Sequence, residues 1–408
     1  MQSLRELYKI GPGPSSSHTM GPQRAAKQFK EAYPNAKRFE VTLYGSLSLT
    51  GKGHLTDWII EETLKPSPLV IHWDDNELPR HPNGMKFIAY GENDEVLGEW
   101  TVYSVGGGTI EIEGAGESQS VPHIYPHNSL DEIYAYVNEK GITLIDYLKE
   151  VEGDDILDFI GGILDTMMEN VDRGLNTSGL IPGDLKLERV GKRLLEQAQA
   201  DTDPLTSARL HLQAYAFAMS EENASGGMVV TAPTCGAAGI IPAVWYYEKN
   251  NVKLDRETLI EGLAVAGLFG NLIKQNATIS GAEGGCQAEC GSATSMAAAG
   301  VAYMKGFPLD IVEYSAETAM QHLLGLTCDP VLGYVQIPCI ERNAACSLRA
   351  LDAVQIASTV GKVTKDSISF DTVVRTMKET GQDLKAAYRE TALGGLATHY
   401  YKNNKLSR

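Results

Sequence analysis

A chain of 408 residues that is 43% hydrophobic and 21% charged has the makeup of a folded protein with room for two or three domains. Its formal charge of −17 argues against nucleic acid and against anionic membrane surfaces as partners. The opening segment lacks the apolar core of a signal peptide, so a cytoplasmic setting is expected, and the six cysteines read as metal or redox chemistry rather than disulfides.

Residues 1–125 read as a mixed α/β domain. The loop Gly11-Pro-Gly-Pro-Ser-Ser-Ser-His18 leads to a helix over 24–33, with Pro22 suited to its first turn. Strand-like runs follow at 39–49, 69–73, 86–90, 99–105 and 109–112. A second Gly-rich loop, Gly51-Lys-Gly-His54, interrupts them and leads into a helix. The proline-bearing stretch 121–128 marks the join, and 126–150 reads as linker helices, at 131–139 and 143–151. Residues 151–408 form the second domain. Ile156, Ile160, Ile163, Leu164, Met167 and Val171 mark one helical face there. Further helices are predicted at 186–199, 204–221, 255–275, 285–304, 309–324, 340–360, 371–380 and 383–397. The fold class is therefore α+β, an N-terminal mixed α/β domain followed by a mostly α-helical domain. The apolar stretch 226–247 is interrupted by two prolines and four glycines, so it reads as a buried loop and helix rather than a membrane span.

Several stretches carry chemistry. Ser15, Ser16, Ser17, His18 and Thr19 precede a helix start, where free amides, hydroxyls and the helix dipole favour an anion. A plain N-cap with extra serines fits the same residues. His54, between Gly53 and Leu55, can reach into a cleft as a base or sit on a surface loop. The small residues of 225–239 suit close approach to a carboxylate, and equally suit tight helix packing; Cys235 among them is ambiguous. The other five cysteines fall within 281–347. Cys286, Cys328 and Cys339 each stand beside Gly, Asp-Pro or Pro, where the chain turns. Three such thiolates can converge on an iron–sulfur cluster and leave one iron open as a Lewis acid. Their long spacing leaves separate structural thiols open as well. Cys290 would share a helix face with Cys286, as packing or as a spare ligand, and Cys346 reads as core.

Taken together, these motifs resemble the iron–sulfur L-serine dehydratases (L-serine ammonia-lyases) of bacteria. The matching stretches are Gly13-Pro-Ser-Ser-Ser-His-Thr-Met-Gly-Pro22, Tyr44-Gly-Ser-Leu-Ser-Leu-Thr-Gly-Lys-Gly-His54, Thr231-Ala-Pro-Thr-Cys-Gly-Ala-Ala-Gly239, Gly285-Cys-Gln287, Thr327-Cys-Asp-Pro330 and Gln336-Ile-Pro-Cys-Ile-Glu-Arg-Asn343. They run in family order over nearly the whole chain. The resemblance implies fused β and α domains and a [4Fe-4S] cluster on Cys286, Cys328 and Cys339. It implies L-serine as substrate, converted to pyruvate and ammonia. It places His18 and His54 at the substrate site, with His54 taken as the base. Ser15, Ser16, Ser17 and Thr19 would hold the carboxylate, with Arg342 and Asn343 assisting.

Three departures stand out. Many members have Asn at the position of Cys235 and Val at that of Cys290. Single-chain relatives can end in a cysteine tail, whereas 400–408 here has no cysteine. Three rivals follow. A pyridoxal-phosphate enzyme needs a Schiff-base lysine, for which Lys52 and Lys274 are the candidates. An iron–sulfur sensor would not need the Ser-His loop. The same cluster chemistry would also serve L-cysteine or L-threonine. A homodimer is expected on general grounds.

Overall fold

The computed structural model describes residues 1–114, 121–364 and 368–404. Residues 405–408, the end of the cysteine-free C-terminus, lie outside them. The chain opens with a short strand, β1 (Ile10–Pro12), and the helix Gly21–Ala32. A sheet follows, made of β2 (Arg38–Tyr44), β3 (Leu69–Asp74), β4 (Gly84–Tyr90), β5 (Val96–Ser104) and β6 (Ile110–Ile112). Its order is β3-β2-β4-β5-β6. β2 and β3 are parallel, with the helix Thr56–Leu64 in the connection between them, and the other neighbours are antiparallel. Phe39, Val41 and Leu43 are buried in alternation along β2, the period of a strand with one covered face. They join Phe29 of the first helix and Ile60 of Thr56–Leu64 in one apolar cluster.

Beyond the sheet the chain is mostly helical. The helices Leu130–Lys140 and Leu144–Glu152 start at Ser129 and Thr143, whose hydroxyls cap them. Both contribute to the large core, with Leu130, Ile133, Val137, Leu144 and Leu148. The centre of that core is the helix Arg256–Asn276, in which nearly every residue from Leu259 to Ile273 is buried. It packs on the alanine-rich helix Ser292–Met304. Small residues are needed at this crossing: a Cβ on Gly300 would lie 2.5 Å from Trp245 and 2.6 Å from the carbonyl of Gly262. Among the described residues, no helix is long and apolar enough to cross a membrane. The stretch 226–247 is instead β7 (Met228–Val230), a buried loop and the helix Ile240–Tyr247.

The first dozen residues belong to this helical core. Met1, Leu4, Leu7 and Tyr8 are buried in it, and β1 pairs antiparallel with β7. The β1 end therefore brings the Ser-rich segment directly to the edge of the helical region, while the helix after it packs on the sheet.

The sequence pattern departs from the structure where the backbone answers to distant partners. The strand predicted over 39–49 ends at Tyr44. Gly45 takes φ 53°, its amide bonds the carbonyls of Asp74 and Asn76, and a helical turn, Ser46–Thr50, follows. The helix predicted over 186–199 is Gly191–Ala200, because the amides of Val190 and Gly191 are taken by the Glu221 carboxylate. The run 285–304 breaks into a wide turn at Gln287–Gly291 before Ser292–Met304, with Gly285 at φ 70°. The helix predicted over 383–397 is absent. Phe370–Asp383 ends there, and an irregular segment runs from the turn Ala386–Tyr388 to the helix Gly395–Asn404. The backbone of this segment pairs with Cys328: its amide donates to the Tyr388 carbonyl, and its carbonyl accepts from the Glu390 amide, both at 2.9 Å.

Candidate active site

Between the sheet domain and the helical core lies a cavity lined by Ser15, His54, Gly236, Cys286, Glu289, Cys328, Pro330, Val335, Cys339 and Glu390. Six separate stretches of chain deliver the chemistry-bearing side chains. Each is held by backbone hydrogen bonds rather than by one regular element.

The two histidines come from the N-terminal loops. Ser15 Oγ accepts from the His18 amide at 3.1 Å and so starts the turn Ser16–Met20. Ser46 Oγ donates its only hydrogen to the Glu390 carbonyl at 2.6 Å, so it accepts from His18 Nε2 at 3.0 Å. His18 Nδ1 is then the acceptor for Ser17 Oγ at 2.9 Å. His54 is fixed in the other tautomer. Its Nδ1 lies 2.9 Å from the Thr50 carbonyl, which can only accept, so Nδ1 carries the hydrogen and Nε2 keeps its lone pair. The two rings stack at 4.4 Å, and the backbones are cross-tied: Thr19 Oγ1 donates to the His54 carbonyl at 2.7 Å and Thr56 Oγ1 to the His18 carbonyl at 2.6 Å. Close approach is required here too, since a Cβ on Gly53 would lie 2.5 Å from the backbone of Gly333. Burial lowers the pKa of His54 to about 4, and burial with the neighbouring His54 ring holds His18 well below the usual imidazole range. Both rings are neutral at pH 7.

Two buried carboxyl groups complete the polar wall. Glu289 Oε1 accepts from Thr234 Oγ1 at 2.8 Å. Burial, then the Cys286 thiolate, raises its pKa. Glu390 sits at φ 58° in the irregular segment, a conformation that costs free energy in a residue with a Cβ. Its Oε1 is 3.6 Å from both His18 Nδ1 and His54 Nε2, and its Oε2 is buried with no hydrogen-bond partner among the described residues. Burial, then Glu289 and Cys286, raises its pKa well above the carboxylate range.

Cys286, Cys328 and Cys339 reach the cavity from three turns: one after Gly285, one before Pro330, and one at the first residue of the helix Cys339–Val360. The Cys286 thiol is pushed down by a hydrogen bond from Cys290, against its burial, and further by the Arg342 guanidinium. Burial pushes Cys328 and Cys339 up.

The expected site residues divide into two groups. Ser15, His54, Cys286, Cys328 and Cys339 line the cavity, with His18 one ring behind. Ser16, Ser17, Thr19, Arg342 and Asn343 do not line it. Ser17 and Thr19 hold the histidines, and the Ser16 carbonyl accepts from the Gly21 amide. Arg342 donates to the Thr327 carbonyl at 2.9 Å beside Cys328. Asn343 accepts from the Gly239 amide and donates to the carbonyls of Gly236 and Cys339. Cys235 points its thiol at Met20 Sδ, 3.5 Å away, and Cys290 and Cys346 form a hydrogen-bonded chain behind Cys286. Neither lysine candidate is near: Lys274 binds Gln2 Oε1 and the Glu6 carbonyl, and Lys52 lies over Trp73. Glu289 and Glu390 were missed. Glu289 lies three residues after Cys286, one turn away, which was a usable signal. Glu390 had none, because only the folded chain brings it near Cys328.

Comparison with known proteins gives this arrangement a context. The serine dehydratase beta chain family matches residues 3–67, and the serine dehydratase alpha chain family matches residues 84–397. The chain belongs to the serine dehydratase family. It carries both parts of the family in one polypeptide. It is 40% identical to L-serine dehydratase 1 of Escherichia coli, over 97% of this chain and 99% of that protein. It is 40% identical to an L-serine dehydratase of Haemophilus influenzae, over 97% and 99% of the two chains. A Streptomyces coelicolor L-serine dehydratase is 41% identical, over 97% and 98%. The serine dehydratase relationship thus spans the N-terminal loops, all three cavity cysteines and Glu390 alike.

Two sets of side chains in this serine dehydratase are suited to a metal. One is the three thiols. The other is His18, His54 and Glu390, whose ligand atoms lie within 4.8 Å of one another. In the second set the His18 Nδ1 lone pair already accepts from Ser17, which leaves two free donors. The thiol set is free of such competition at Cys328 and Cys339, and it is the softer set, suited to iron–sulfur chemistry.

Proposed function

We propose that this protein is an L-serine ammonia-lyase that holds a [4Fe-4S] cluster on Cys286, Cys328 and Cys339. One arrangement carries the assignment: the buried Cys286 and Cys328 and the half-buried Cys339 share a cavity with a histidine whose Nε2 keeps its lone pair. The donor set fits the group, since three thiols serve three irons of a four-iron cluster and Arg342 offsets thiolate charge. When bound, such a cluster supplies a Lewis acid for the hydroxyl that leaves.

The chain's own residues do the rest. His54 Nε2 takes the Cα proton of L-serine. Its Nδ1–H bond to Thr50 fixes the ring and the tautomer. Stacking on His18 and the tie from Thr19 keep the ring from turning away. Burial keeps it neutral, so it is ready as a base at pH 7. Ser15 lines the same space, and its hydroxyl, which accepts from the His18 amide, serves as a hydrogen-bonding group for the substrate. Loss of the Cα proton and of the β-hydroxyl, as water, gives aminoacrylate. Its imine tautomer then hydrolyses to pyruvate and ammonia, one of each per serine.

The test is pyruvate release from L-serine by protein reconstituted anaerobically with iron and sulfide. Activity should appear with the brown chromophore and disappear with it in air. Full activity in metal-free protein would remove the cluster from the reaction. Parallel assays with L-cysteine and L-threonine rank the substrates.

A further inference from the structure

Glu390 belongs to no expected motif, yet the fold goes to some length to place it. It holds a left-handed backbone conformation at φ 58°. Its amide and carbonyl are both committed, to the Cys328 carbonyl and to Ser46 Oγ. The residue is 4% exposed and lines the cavity, with its Oε2 unpartnered among the described residues. A strained residue held this firmly, with a buried polar atom left free, points to a ligand.

The neighbouring tautomers say what kind of ligand. His18 Nδ1 accepts from Ser17, and His54 Nε2 has a lone pair, so neither neutral ring offers Glu390 a hydrogen. Arg342 is directed to Thr327 and Cys286. No neighbouring side chain therefore donates to the Glu390 carboxyl group, and a cationic donor, which holds the group in its ionised form, satisfies it best. Resting on the reading that L-serine is the substrate, we infer that Glu390 anchors the substrate's α-ammonium group. Distance supports this. The carboxylate–ammonium bond is about 2.8 Å, and the ammonium nitrogen is about 1.5 Å from Cα. Since Glu390 Oε1 is 3.6 Å from His54 Nε2, an ammonium held at Glu390 brings Cα next to the base. Glu289 is the poorer anchor, because Thr234 already donates to it.

The experiment compares reconstituted wild type with Glu390→Gln by calorimetry, using two ligands. L-Alanine keeps the ammonium and carboxylate but has no hydroxyl to lose. 3-Hydroxypropionate keeps the hydroxyl and carboxylate but has no ammonium. Glu390→Gln should weaken L-alanine binding roughly ten- to hundredfold and change 3-hydroxypropionate binding less than about threefold. Equal losses for both ligands, or no loss for either, would overturn the assignment, whatever happens to turnover. If Glu390→Gln does not fold, a crystal structure of wild type with L-alanine decides. Nitrogen within about 3.2 Å of a Glu390 oxygen supports the anchor, and nitrogen elsewhere overturns it. Wild-type pyruvate release is measured alongside. Failure there removes the serine reading itself, whereas an active wild type with unchanged ligand selectivity in Glu390→Gln removes only the anchor.

Discussion

Replacing Asn343 with alanine removes three hydrogen bonds at once. They join the Gly239 amide at 2.9 Å and the carbonyls of Gly236 and Cys339, each at 2.8 Å, to a side chain that is fully buried. At about 1 kcal/mol for each bond, Asn343→Ala should cost about 3 kcal/mol, since the Gly239 amide and the Gly236 carbonyl are left inside without this partner. With a slope near 3 kcal/mol per molar, the urea midpoint should fall by about 1 M. Tryptophan fluorescence is the assay. Trp245 is buried in the helical core and donates to the Leu259 carbonyl at 2.8 Å, so it reports on the right region. An unchanged midpoint with a raised KM for L-serine would refute the clamp and return Asn343 to the substrate.

His54→Ala should lower kcat by about 10²–10⁴ while leaving the cluster absorbance intact, and it should abolish exchange of the Cα proton with solvent. The acid limb of kcat/KM should fall near pH 4 rather than 6.5, because burial holds His54 neutral down to about 4. Stability follows the same sign: the unfolded imidazole gains its proton near pH 6.5 and the folded one only near 4, so this contribution is intact above 6.5 and is lost as pH falls through that window. A urea midpoint that is flat from pH 7 to 4.5 would contradict it. Cys328→Ala should lose bound iron, whereas Cys290→Ala should retain wild-type iron content, as judged by iron analysis after anaerobic reconstitution.

Much of the site was legible because its parts are punctuated. Gly and Pro mark the turns at Cys286, Cys328 and Cys339, and Gly53 marks the loop at His54, and all four side chains line the cavity. Ser46 was inside a recognised stretch, but the run 39–49 reads as a strand. Only the turn at Gly45 reveals that Ser46 bridges His18 and Glu390. Glu390 was hidden for a stronger reason. The segment 383–397 has an ordinary helical composition, and what unwinds it is the pairing of its backbone with Cys328, a long-range contact that no local pattern encodes. Asn343 shows the opposite case: a polar residue in the motif that carries Cys339 reads as a substrate contact, whereas its three hydrogen bonds all go to backbone.

The pairing of β1 with β7 sets a timetable for synthesis. The Lys9 amide bonds Thr231 Oγ1 across 222 residues, so the chain's first strand leaves the ribosome long before its partner exists. At about 5–20 residues per second the wait is roughly 10–45 s. Throughout it Leu4, Leu7 and Tyr8 have no helical core to enter, while the sheet domain, with its own apolar cluster, is free to form. The nascent chain therefore carries the apolar segment Leu4 to Tyr8 unplaced while the sheet domain is made, and only the arrival of Met228–Val230 gives it its place.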